Sequence, residues 1–549
     1  MDRKRTSVLT EEEEESTIYS RGQVLEIISK LHATTSEFLI LTYFKIFKIT
    51  TGPIYEKFQR RFNHIIFNNS EKVIKELTIT VFAQKAQEIL AENLSATTYV
   101  SCIFPYNLKL EPCPIYVQYF NPSSGIEHRL LGYIPTPLGL GTLLTQHGVV
   151  QKLVGYCGDF LYTDPGFSNN KSDHFSSLCL LSGNSIKYLP YSEGFVPRVF
   201  DILIDYLPEN LSESLSRLGE TFLGMSSKSQ FSQSFVSEYK NWLSSNRRLH
   251  ILSSNYTKFV VEHLDMIKSY LEPFQCLPRS IEVLLCNVLQ RFLLVFMREL
   301  YLKVDEIKLS DNCAVMYYFQ LVQIRDLLKL YEDSHYIPPK ALACLNNEID
   351  FLVENHVLDQ TKGKSDIDNL LKEIISITRT CFTRAINYIN PLLEQFTSFE
   401  AFSWILLKES SVDKNQIHQT YHLIKDENCT DCPTLFQEVN ELNLVLSKMP
   451  LLEMEGTIAL KWVAVLKNCS NISKITKLLE FLLALPASYD LMKDSKSNCE
   501  YLRTRAMIKF NMASVPSDLI LNNIEEFFEG HVITAKNIIK NNQIPLLID

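Results

Sequence analysis

The sequence predicts an α/β fold in which helices predominate, and three observations carry that prediction. Gly (17) and Pro (21) are scarce for 549 residues, which disfavours a turn-rich all-β chain and favours long, rarely interrupted helices. Apolar residues recur at helical spacing over most of the chain, as at Leu25, Ile28 and Leu31, or Val73, Leu77 and Val81. Between Cys102 and Tyr162 the period shortens to that of strands. A hydrophobic content of 46% and an aromatic content of 11% supply core enough for two to four domains.

Taken in order, the opening "MDRKRTSVLTEEEEE" sets a small basic cluster against five consecutive glutamates. These repel one another and bury no apolar area, so residues 1–20 are expected to be a disordered acidic tail. Residues 2–5 also admit a nuclear-import reading, and Thr10 before Glu13 suits an acid-directed kinase. Residues 21–100 read as an N-terminal helical region. In "PIYVQYFNPSSGIEHRLLGYI" two runs of β-branched and aromatic residues flank Asn121-Pro122-Ser123-Ser124-Gly125. That pattern predicts a hairpin pairing 116–119 with 127–131. A third strand is expected in "KLVGYCGDF", residues 152–160. Helical spacing returns over 196–207, 231–243, 254–271 and 281–302 and holds to the end. One small sheet inside a helical chain follows. No fixed-period repeat points to a solenoid.

Charge and cysteine usage narrow the function classes. With 54 Lys+Arg against 63 Asp+Glu and a net charge of -9, the whole chain is not a footprint for a polyanion. The local basic clusters, Arg60-Arg61 and Arg247-Arg248, are small enough to be ordinary solvated helix faces. Thirteen cysteines spread mostly singly suggest buried thiols in a reducing, intracellular compartment; within it the nucleus is expected over the cytoplasm. No apolar leader follows Met1, and the most apolar stretch, residues 281–300, is broken by Asn287, Gln290 and Arg291. It reads as a buried helix, so no membrane span is expected.

No P-loop, G-x-G-x-x-G, G-x-S-x-G or H-E-x-x-H occurs, so nucleotide, hydrolase and zinc-peptidase chemistry lack a motif. In "HQTYHLIKDENCTDC", His418 and His422 stand i,i+4 and Cys429 and Cys432 form a C-x-x-C. Two imidazoles and two thiolates can close a tetrahedral zinc site. The pair order is inverted relative to common fingers and the linker is short, so no metal or cofactor is assigned. Asp159 and Asp164 lie where strand-end acids of two-metal nucleases sit. Asp164-Pro165-Gly166, however, reads as a turn, and Asp159 needs a second acid on the neighbouring strand.

The order of these elements resembles the vertebrate transposase-derived proteins of the hAT (hobo, Activator) superfamily. A helical region is followed by "SEKVIKELTITVFAQKAQEILAENLSATTYVSCIFPYN", then the hairpin, then "LVGYCGDF". The stretch from "ALKWVAVLKN" to "SDLILNNI" resembles the hAT C-terminal dimerisation segment, with Trp462, Pro486, Ser488, Ser495, Arg503, Arg505 and Asp518-Leu519 in its places. The resemblance covers roughly residues 50–545 and rests on shared order more than on any single motif. It implies a ribonuclease-H-like mixed sheet interrupted by a large helical insertion, here degenerate. The implied division is 101–260 for the first part of the core, 261–440 for the insertion, and 441–549 for the rest of the core with the dimerisation segment.

The departures from the family matter more than the matches. Where the first strand of active members ends in an aspartate, "FPYN" (residues 104–107) carries none. The second acid resembles Asp159, but its context is reduced to "GDFLYTDPG"; the Cys-x-x-His pattern is replaced by "SIKYLPYSEGF", and no third, glutamate ligand is placed. Asn107 can coordinate a cation without neutralising it, and Glu111 and Asp164 are the nearest substitutes. The expectation is a non-enzyme with no catalytic, cofactor or metal residues: a domesticated transposase-like protein acting through protein–protein interaction, including self-association. The alternative is a nuclear DNA- or chromatin-binding regulator. Self-association is expected through the apolar ridge Ile475, Leu478, Leu479, Leu482 and Leu483, with a wholly internal core helix as the alternative.

Overall fold

The computed structural model describes residues 35–51, 55–56, 70–104, 112–158, 173–182, 187–189, 211–224, 229–244, 255–273, 277–307, 311–354, 363–408, 411–424, 432–450, 455–487 and 499–543. The chain is divided into two units, Met1–Glu92 with Ser497–Asp549, and Asn93–Lys496. Both are helical, and the second also holds a small mixed sheet. The expected acidic tail, residues 1–20, lies outside the described residues.

The first unit is built from both ends of the chain. Helix Thr35–Phe47 buries Phe38, Leu39, Tyr43, Phe44 and Ile46 against Ile508, Ile520, Ile524, Phe528, Ile538 and Ile539 from the C-terminal helices. Polar ties run between the same ends: Tyr43 Oη lies 3.0 Å from Ser517 Oγ, Asn542 Nδ2 donates to Glu76 Oε2 at 2.9 Å, and His531 Nε2 lies 2.9 Å from Glu88 Oε1. The expected unit 441–549 is thus split. Residues up to 487 pack in the sheet-bearing unit, whereas the helices from Glu500 onward close over the N-terminal ones because their apolar faces match.

The second unit carries five strands: β1 (Val100–Phe104), β2 (Cys113–Asn121), β3 (Gly125–Ile134), β4 (Leu153–Gly158) and β5 (Lys187–Leu189). Their order in the sheet is β3-β2-β1-β4-β5. The first three pair antiparallel, while β1, β4 and β5 run parallel. The expected hairpin is present, with Tyr116 opposite Leu130 and Tyr119 opposite Glu127. Asn121 forms its turn: its Oδ1 accepts from Ser123 N at 2.9 Å, and its carbonyl from Ser124 N at 3.1 Å. Lys152 anchors the start of β4 by donating to the carbonyls of Leu94 and Ser95 at 2.7 and 3.0 Å, satisfying the end of the helix that precedes β1.

After β5 the described chain is helical, and two expected helices turn out to be broken. Residues 281–302 fall into Arg279–Cys286 and Val288–Asp305, because Asn287 leaves helical geometry (φ -85°, ψ 117°) and its side chain accepts from Gln290 N to cap the second helix. Residues 254–271 break at His263 (φ -123°, ψ 22°), whose ring stacks on Phe259 at 4.2 Å. Among the described residues no single helix is long and apolar enough to cross a membrane. The apolar side chains of the broken pair, among them Ile281, Leu285, Phe292, Phe296 and Leu300, are in the core.

Helix Ser473–Ala484 lies against β2, with contacts to β1 and β4. Its ridge Ile475, Leu478, Leu479, Leu482 and Leu483 is between 0% and 2% exposed. The ridge is therefore not a dimer surface: its spacing matches the sheet below it, and no partner can reach it. Trp462, on the neighbouring helix Ile458–Lys467, is fully buried, donates to Ile405 O at 2.7 Å and meets Trp404 edge-on at 5.5 Å.

Candidate functional site

The parallel β1–β4 pair brings two strand ends together, with Phe104 opposite Gly158. All five β1 residues, Val100, Ser101, Cys102, Ile103 and Phe104, are buried. None carries a carboxylate. Two glycines on β4 let the seam close. A Cβ on Gly158 (φ +149°) would stand 2.1 Å from Phe104 O, and one on Gly155 would stand 2.4 Å from Ser101 Oγ. Burial pushes the Cys102 thiol far above its ordinary pKa. The described part of this seam, inside the sheet, is buried and largely apolar. Asp159 follows Gly158 directly in the chain; it lies outside the described residues, as do Asp164, Glu111 and Asn107.

The most developed polar arrangement at the sheet is a clamp that the sequence did not announce. Gln118 on β2 donates through Nε2 to Asn312 O at 2.7 Å and to Leu483 O at 3.1 Å. Its Oε1 accepts from Asn312 Nδ2 at 3.1 Å and from His128 Nε2 at 2.8 Å. Asn312 Oδ1 accepts from Ala487 N at 3.1 Å. Burial, with a smaller push from the Arg129 charge, lowers the His128 pKa to about 4. The imidazole is therefore neutral near pH 7 and acts as an N–H donor.

The flanking residues extend the clamp. Ala314 N donates to Leu485 O at 2.8 Å, and Cys313 Sγ to Leu482 O at 3.4 Å. Asp311 accepts from Ala459 N at 3.2 Å at the start of helix Ile458–Lys467. Burial lifts the Asp311 pKa, against the hydrogen bonds from Thr457 and the Ala459 and Ile458 N–H groups. Segment 311–314 thereby fastens β2, β3 and two C-terminal helices of this unit together. The arrangement satisfies its polar atoms internally and offers no group poised for chemistry. The only sequence signal for it was Gln118, a lone amide in the apolar run "YVQYF".

The other residues singled out from sequence separate. Arg505 Nε and Nη2 donate to Ile46 O at 3.3 and 3.1 Å, and Nη2 also to Lys45 O, at the C-terminal end of helix Thr35–Phe47. This guanidinium is a helix cap. Arg503 lies on the same helix, Glu500–Asn511, and Asp518 in the first turn of Ser517–Asn522, with Leu519 exposed. Pro486 is buried after helix Ser473–Ala484. His418 and His422 come together, with their Nε2 atoms 3.1 Å apart. Cys432 begins helix Cys432–Leu446. Cys429, Ser488, Ser495, Arg60, Arg61, Arg247 and Arg248 lie outside the described residues. No family model matches this chain, and no curated protein matches it.

Proposed function

We propose that this chain is a catalytically silent, domesticated relative of hAT transposases that works through protein–protein interaction, self-association included. The observation that carries the reading is the sheet itself. The order β3-β2-β1-β4-β5, with β2 antiparallel to β1 and β4 and β5 parallel to it, is the strand order of ribonuclease-H-like folds. The long helical stretch between β5 and helix Ser473–Ala484 suits the insertion such transposases carry. In that fold, in-line phosphoryl displacement uses two cations about 4 Å apart, held by acids on neighbouring strands. β1, Val100–Phe104, brings no carboxylate to such a pair, and among the described residues no three His, Cys, Asp or Glu side chains gather where a cation could be held.

What is left is a folded scaffold, and its natural activity is recognition. Ten described cysteines are free thiols, five of them buried, which suits a reducing, intracellular setting. Since the ridge of helix Ser473–Ala484 is enclosed, self-association would use other faces. Multi-angle light scattering of the full chain at micromolar concentration tests the reading directly, and a dimer mass supports it. A monomer that binds duplex DNA with steep salt dependence would overturn it in favour of the DNA- or chromatin-binding alternative.

A further inference from the structure

We propose that His418 and His422 form a bis-imidazole site for a divalent transition-metal ion, with zinc the best chemical fit. The two residues stand one turn apart on helix Lys414–Ile424. Their Nε2 atoms are 3.1 Å apart, and their rings meet at 73° with centroids 4.3 Å apart. Two zinc–nitrogen bonds of about 2.0–2.1 Å at a tetrahedral angle place their nitrogens about 3.3 Å apart. The observed separation is therefore close to the bite of a shared ion. The competing account is a single N–H···N hydrogen bond between the two rings.

The pair is held in place from behind. Ile417 and Thr420, on the other side of the helix, are fully buried, and Thr420 Oγ1 accepts from Trp404 Nε1 at 2.9 Å. His418 is stacked on Phe436 at 6.0 Å with the rings 3° from parallel. The helix and the His418 ring are thus held before any ion arrives, which reduces the ordering cost of binding. His422 is exposed, so water can fill the outer coordination positions. Imidazole donors at this spacing suit zinc, nickel and copper and disfavour magnesium and calcium, which take oxygen.

The test uses the full chain, stripped with EDTA, dialysed against buffered zinc chloride and assayed for bound metal. The expected result is one zinc per chain, with uptake weakened about tenfold or more by either His418→Asn or His422→Asn. The double substitution should abolish uptake, and Gln419→Ala should leave it intact. Zinc should raise the melting temperature of the parent and not that of the double variant. Circular dichroism matched to the parent establishes that the variants fold. Zinc content in the parent no higher than in the double variant, or uptake unchanged by the substitutions, would overturn the proposal.

Discussion

Replacing Gln118 with leucine keeps most of the side-chain volume and removes every polar atom of the clamp's central amide. Four groups then lose a hydrogen bond: the carbonyls of Asn312 and Leu483, which took its N–H donors, and Asn312 Nδ2 and His128 Nε2, which gave to its Oε1 and stay 3.4 Å from each other. Each buried orphan costs about 1–3 kcal/mol. Carbonyls retain a second lone pair and local relaxation recovers part of the loss, so the low end applies to each group and the sum is about 4 kcal/mol. The tryptophans Trp242, Trp404 and Trp462 all fall within Asn93–Lys496, so fluorescence-detected denaturation reports on the unit that holds the clamp. The Gln118→Leu midpoint should fall accordingly, and Asn312→Leu added to it should cost much less than Asn312→Leu alone. A loss below about 1 kcal/mol, or full additivity of the two substitutions, would refute the clamp as a stabilising unit.

Three further outcomes follow from the same geometry. The folded His128 pKa of about 4 lies below the ordinary 6.5, so the unfolded chain takes a proton that the folded one refuses. Stability should hold above pH 6.5 and fall by roughly 3 kcal/mol on acidification to pH 4; His128→Gln should flatten that slope in fluorescence-detected denaturation, and an unchanged slope would contradict the assignment. Gly158→Ala forces a Cβ against Phe104 O, whereas Gly148→Ala at φ +65° meets nothing within 4 Å. The first should cost more than about 3 kcal/mol and the second about 1–2, compared by soluble yield and denaturation midpoint. Arg505→Ala uncaps helix Thr35–Phe47 at a cost of about 1–2 kcal/mol and should speed amide exchange over residues 35–47; unchanged exchange there would sink the capping role.

The hairpin was legible because two physical signals agreed. Runs of β-branched and aromatic residues marked the two strands, both faces of β2 being buried, and the Asn121–Gly125 stretch supplied the chemistry that turns the chain between them. The break at Asn287 was hidden because apolar spacing continues through it; the cap is made by one side-chain oxygen that periodicity does not register. The ridge on helix Ser473–Ala484 was legible as apolar but not as internal, since spacing fixes a face and not what covers it. For the same reason nothing local assigned helix Glu500–Asn511 to the unit that holds helix Thr35–Phe47. The clamp was invisible because Gln118 and Asn312 are 194 residues apart. At the candidate site, the absence of an acid from Val100–Phe104 was plain in the sequence. The closeness of that strand to Gly158 came only from the register. The histidine spacing was visible too, while the 3.1 Å approach of the two Nε2 atoms needed the side-chain geometry.

The proposed function requires that this sheet does not support two-cation phosphoryl chemistry, and the most direct test is a cleavage assay. Purified full-length chain is incubated with labelled single- and double-stranded DNA in Mg²⁺ and then in Mn²⁺, with Asp159→Ala in parallel. The account predicts intact DNA in every lane and no difference between the parent and the variant. Metal-dependent cleavage that disappears with Asp159→Ala would contradict it, and would mean that an acid other than one on β1, with Glu111 and Asp164 the first to replace, completes the site.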